Sequence, residues 1–211
     1  MRAPEEGRPG RFGAVVLGGS AGGISAVTAI VAALPESFPL PLTVALHQSP
    51  DQSLGWVQYL DRQARLPVVE AEDKMPLAAG TVHCAPPGYH LLLETDGTLA
   101  LSVDAKVNFA RPSIDLLFSS AADAFGPALI GVVLTGANGD GARGLAEIAA
   151  VGGRALVQSP RTAEWPAMPE AALQTTPQAL VVDLEAIAET LVRLSMQGRY
   201  LRPSLQEHGH G

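Results

Sequence analysis

The chain has 211 residues, 47% of them hydrophobic and 17% charged, with one cysteine and a formal net charge of −7. This length and composition suit one α/β domain with a buried core and exclude a disordered chain. No apolar run approaches the roughly 20 residues of a membrane span, and MRAPEEGRPGRFG has no signal-peptide core. Fourteen Lys and Arg without a long cluster argue against sequence-independent nucleic-acid binding. Cys84 has no partner for an internal disulfide, so the cytoplasm is the expected compartment.

Residues 1–12 read as a mobile lead-in. Ala14–Leu17 is a short buried strand, Ile24–Ala33 a helix and Leu42–Leu46 a second strand that stops at His-Gln-Ser-Pro. Leu54–Ala64 reads as helical, Pro67–Ala71 and Thr81–Ala85 as extended. The strands are continuous apolar runs, which suits a parallel sheet covered on both faces. His90–Glu94 and Leu99–Val103 flank an Asp-Gly turn and predict a hairpin, an antiparallel excursion inside that sheet. Ser113–Ala124 is a helix that Ser113 can cap. Leu129–Leu134 is the clearest buried strand and runs into Thr135-Gly-Ala-Asn-Gly-Asp-Gly141. A helix over Ala142–Val151, a strand over Arg154–Gln158 and a helical turn over Pro169–Leu173 follow. A last strand covers Ala179–Val182 and a helix Leu184–Ser195. The tail from Gln197 reads as frayed, and its EHGHG ending has no evident metal-site partner. There is no repeat and no linker long enough to split the chain.

Gly18-Gly-Ser20-Ala-Gly22 fits G-x-S-x-G between a strand and a helix, the setting of a nucleophile elbow. The Ala21 N–H and the following helix N-terminus would then face an oxyanion. Two other readings stay open: a glycine loop that cradles a phosphate, and Ser20 as a helix cap. The dinucleotide pattern puts Ser20 in place of its second glycine, and no P-loop lysine follows.

A serine nucleophile needs a base, and His47 ends the second strand on the same predicted sheet edge. A lone histidine there is also compatible with a plain strand end. His83 and His90, around the hairpin, are competitors; His208 and His210 lie in the tail. The base needs a carboxylate, and Asp140 sits among small residues after the LIGVVL strand. Its alternative role is to cap the helix that starts at Ala142; Asp51, Asp104 and Asp115 are weaker candidates. A working triad requires the Ser20 hydroxyl within hydrogen-bond reach of His47.

With these pieces in hand, the chain resembles the catalytic domain of the CheB-type chemotaxis protein-glutamate methylesterases. The matching segments are VVLGGSAGG, ALHQSP, EAEDKMPLAAGTVHCAPPGYHLLL, NFARPSIDLLFSSAA, GVVLTGANGDGARGL and QSPRTAEWPAMPEAAL, in order over most of residues 14–192. The resemblance implies a doubly wound, mainly parallel α/β sheet with helices on both faces and an antiparallel hairpin. It implies a serine hydrolase with Ser20 as nucleophile, His47 as base and Asp140 as orienting acid. Ala21 and Ala137 would supply oxyanion donors, and Arg111 would contact substrate or support a loop. The implied reaction releases methanol from glutamyl methyl esters on the cytoplasmic helices of chemoreceptors, and some members deamidate receptor glutamines. No metal or organic cofactor is implied. The rival readings are a hydrolase of a different ester or amide, and a non-catalytic module that binds receptors or another ligand.

Departures from the family pattern are Ala21 where threonine is common, Ala137 where methionine is common followed by Asn138-Gly139, and a loop one residue longer after His47. The dozen residues before the first strand are too few for the receiver domain of many members. The expectation is a stand-alone catalytic unit over residues 13–196. It would be constitutive, controlled by a separate regulatory partner, or a fragment of a longer chain.

Overall fold

The computed structural model describes residues 13–47 and 55–197. The expectations for the lead-in, the loop after His47, Asp51, and the tail with His208 and His210 lie outside the described residues.

Seven parallel strands form one sheet: β1 (Ala14–Gly19), β2 (Leu42–Leu46), β3 (Val68–Glu70), β4 (Val82–Cys84), β7 (Leu129–Val133), β8 (Arg154–Gln158) and β9 (Leu180–Val182). They lie in the order β3-β4-β2-β1-β7-β8-β9. β1, β2 and β7 are buried along their whole length, which is why they read as unbroken apolar runs rather than alternating ones. Helices α1 (Gly23–Ala33), α2 (Trp56–Gln63) and α6 (Leu184–Gln197) cover one face. Their apolar sides join Val15, Leu17, Val44 and Val132 in one core cluster. Helices α3 (Ile114–Phe125), α4 (Ala142–Ala150) and α5 (Ala167–Thr175) cover the other face, over Ala14, Val16, Val133 and Val157. Among the described residues no helix is long and apolar enough to cross a membrane.

The hairpin is where the sequence expectation is corrected. β5 (His90–Leu93) and β6 (Leu99–Ser102) pair antiparallel as predicted, but as a sheet of their own, outside the parallel one. β4 is already paired on both sides, to β2 and to β3, so it offers no free edge beside it. The hairpin instead buries Leu91, Leu93 and Leu99 in the core cluster that holds α3. The helical turn expected over Pro169–Leu173 is also longer, the full α5.

The chain winds outward from β1 through β2, then returns to place β7 on the other side of β1. Open α/β sheets form their crevice at the strand C-termini where the winding direction switches. Here that point gathers the ends of β1, β2 and β7, which lead into Ser20, His47 and the Thr135–Gly141 loop.

Candidate active site

The register carries the strand ends past the sheet. Gly19 lies opposite Leu46, the His47 N–H donates to the Gly19 carbonyl at 3.1 Å, and the Ser20 N–H donates to the Thr135 carbonyl at 2.9 Å. Ser20 therefore sits between the residues that follow β2 and β7. The turn after it is tight. Gly22 has φ 75°, and a Cβ there would lie 2.8 Å from Glu164 Oε2, so only glycine fits without strain. α1 has no side-chain cap hydrogen bond, which removes the reading of Ser20 as a cap. No described residue accepts a hydrogen bond from the Ala21 or the Ala137 N–H. The Ala21 carbonyl is anchored by the Thr135 hydroxyl at 3.0 Å.

His47 and Asp140 meet. His47 Nε2 lies 2.8 Å from Asp140 Oδ2, with the carboxylate fully buried and the imidazole 13% exposed. Asp140 does not cap the helix that follows it; Gly141 occupies the cap position of α4. It caps α3 instead. Its carboxylate accepts from the Ile114 N–H at 2.8 Å and the Asp115 N–H at 3.1 Å. It also accepts from the Ser113 hydroxyl at 3.1 Å and from its own neighbour, the Gly141 N–H, at 3.1 Å. Asp115, in the first turn of α3, returns the arrangement by accepting from the Gly141 and Gly144 N–H groups at 3.0 and 2.8 Å. Each helix start is thus satisfied by an acid from the other, which meets the need of orphan N–H groups for acceptors.

This exchange separates the two acids. Burial pushes the Asp140 carboxyl up, but the His47 hydrogen bond and the Ile114 and Asp115 N–H groups outweigh it and hold Asp140 below the ordinary aspartate value. Burial dominates at Asp115 and leaves it above that value, with the nearby charge of Asp140 adding to the rise against its N–H donors and Arg143. Of the two acids, the one that faces the histidine is the one held toward its charged form.

The expected Ser20–His47 hydrogen bond is not formed. His47 Nε2 is engaged with Asp140, while Nδ1 lies 3.3 Å from the Asn138 side-chain amide. The Ser20 hydroxyl has no hydrogen-bond partner among the described residues.

The remaining candidates separate cleanly. Arg111 donates to the Val103 and Asp104 carbonyls at 2.6 and 2.9 Å, so it braces the segment between β6 and α3. His83 is buried between the Leu42 carbonyl and the Ala78 N–H, a structural position. His90 is buried too, with Nδ1 accepting from the Ser113 N–H; it holds the residue that holds Asp140. Asp104 accepts from the Ser102 hydroxyl. No group of three or more metal-ligating side chains forms among the described residues. Sequence reasoning missed His90, Asp115, Thr135 and Asn138 as site supports. Of these, His90 and Asp115 stood out only as alternative base and acid, Asn138 only as a departure in the loop around Asp140, and Thr135 not at all.

The CheB methylesterase family model matches residues 15–191. The chain belongs to the CheB methylesterase family. It is 44% identical over 183 residues to a provisionally named protein-glutamate methylesterase/protein-glutamine glutaminase of Leptospira interrogans, covering 87% of this chain and 95% of that protein. It is 37% identical over 191 residues to the protein-glutamate methylesterase FrzG of Myxococcus xanthus, covering 90% of this chain and 57% of FrzG. The crystal structure of the Thermotoga maritima CheB methylesterase catalytic domain superposes with a TM-score of 0.82 at 31% identity, over 87% of this chain and 98% of that domain. The doubly wound fold expected from the sequence is therefore the fold of the family.

Proposed function

We propose that this chain is a protein-glutamate methylesterase that uses Ser20, His47 and Asp140 to hydrolyse glutamyl methyl esters on chemoreceptor helices. The observation that supports this most is the buried, ionised Asp140 held 2.8 Å from His47 at the strand end beside Ser20. The likeness to proteins named as methylesterases supplies the substrate class.

An acceptor-only carboxylate against Nε2 keeps the ring proton there. Nδ1 is then the basic atom. In the reaction the Ser20 Oγ–H proton passes to Nδ1 as Oγ bonds to the ester carbonyl carbon. The resulting oxyanion accepts from the unpaired Ala21 and Ala137 N–H groups. The proton returns from Nδ1 to the methoxy oxygen, the C–O bond breaks and methanol leaves. Water then gives up a proton to Nδ1 as it adds to the acyl carbon, and that proton returns from Nδ1 to Ser20 Oγ as the acyl C–Oγ bond breaks and the glutamate acid leaves. A glutamine side chain would follow the same route with ammonia as leaving group, so deamidation needs no second site.

Two peptides of one receptor helix, one carrying a glutamyl methyl ester and one a glutamine at the same position, test this. Mass spectrometry is expected to find the ester converted to acid, with the glutamine converted more slowly. An untouched ester beside a folded protein would contradict the reading.

A further inference from the structure

Asn138 touches the reacting base without belonging to the triad. Its side-chain oxygen accepts from the Asp140 N–H at 3.1 Å, so its amide NH₂ is the end that faces His47 Nδ1, 3.3 Å away. Asp140 accepts the ring proton on Nε2, which leaves Nδ1 as a lone pair and makes the amide its donor. The Ser20 hydroxyl, which must deliver its proton to that lone pair, has no partner among the described residues. The atom that activates the nucleophile is thus occupied before any substrate arrives. Asn138 is exposed, so moving its amide away from the ring breaks at most two neutral hydrogen bonds, the one to Nδ1 and the one from the Asp140 N–H.

We propose that Asn138 is a positioning residue that caps Nδ1 of His47 in the free enzyme, and that a seated substrate displaces its amide so that Ser20 gains the base. This rests on the reading of Ser20 as nucleophile and His47 as base. The cap fixes the ring tautomer and keeps the hydroxyl unactivated between turnovers.

Two variants separate the cap from a mere loop support. Asn138→Ser keeps an acceptor for the Asp140 N–H but is too short to reach the ring. Asn138→Asp keeps both length and acceptor but replaces the donor by a carboxylate, which would hold a proton on Nδ1. Without substrate, phenylmethylsulfonyl fluoride labels an activated serine: Oγ bonds to sulfur, fluoride leaves and the proton goes to the base. Labelling of Ser20, located by mass spectrometry, is expected to run about 3- to 10-fold faster in Asn138→Ser, as for the loss of one neutral hydrogen bond, and slower than wild type in Asn138→Asp. Equal rates, or a slowing in both variants, would overturn the cap. No labelling of Ser20 in any of the three proteins would overturn the nucleophile reading on which it rests. In the unreactive Ser20→Ala background, the ¹⁵N shift of His47 Nδ1 is expected to change in Asn138→Ser; an unchanged shift would also overturn the cap.

Discussion

The two ends of the site are built in opposite ways. Asp140 accepts five hydrogen bonds, from His47, Ser113, Ile114, Asp115 and Gly141, and is sealed between two helix starts. Ser20 is held only through its backbone, by Thr135 on one side and by the Gly23 N–H on its carbonyl. The acid is fixed because an uncompensated buried charge is costly. The hydroxyl is unpartnered among the described residues, which the proposed role as nucleophile requires of it. The contrast places the rigidity of the site in the α3–α4 junction and its freedom at the β1 turn.

The largest expected effect breaks the rigid end. Asp140→Asn removes the charge that stabilises imidazolium and puts an NH₂ among N–H donors. Turnover of a glutamyl methyl ester should fall on the order of 10⁴-fold, by analogy with other triads. A fall of only a few-fold would remove Asp140 from its orienting role.

A smaller effect sharpens the comparison by moving the rigid end without touching its charge. A Cβ at Gly18 would lie 2.2 Å from Ile114 Cγ2, and the Ile114 N–H is one of the donors on Asp140. Gly18→Ala should therefore push α3 away from β1, costing about 1–3 kcal/mol in urea unfolding and lowering kcat more than it changes KM. Lost stability with an unchanged kcat would show that the approach of α3 does not position the acid.

That Ser20, His47 and Asp140 converge on one sheet edge was legible because each follows a continuous apolar strand, and parallel strands bring their C-terminal ends together. The cap at Ser113 was legible for a similar local reason, and the structure has it accepting from the Leu116 N–H. The supports were not. His90 reaches Ser113 across 23 residues, Asp115 reaches Gly141 across 26 and Asn138 reaches His47 across 91. Those contacts depend on how α3 packs over the sheet, which strand periodicity does not encode. The misplaced hairpin has the same origin: the Asp-Gly turn specifies a local pairing, whereas the free edges of the sheet are set by β3 returning beside β4.

Methanol release from methylated receptor fragments by the wild-type chain and by Ser20→Ala, assayed together, decides whether Ser20 carries the chemistry. Release by the wild type and none above background from the variant is expected. Equal release from both would contradict it, because the chemistry would then not pass through Ser20.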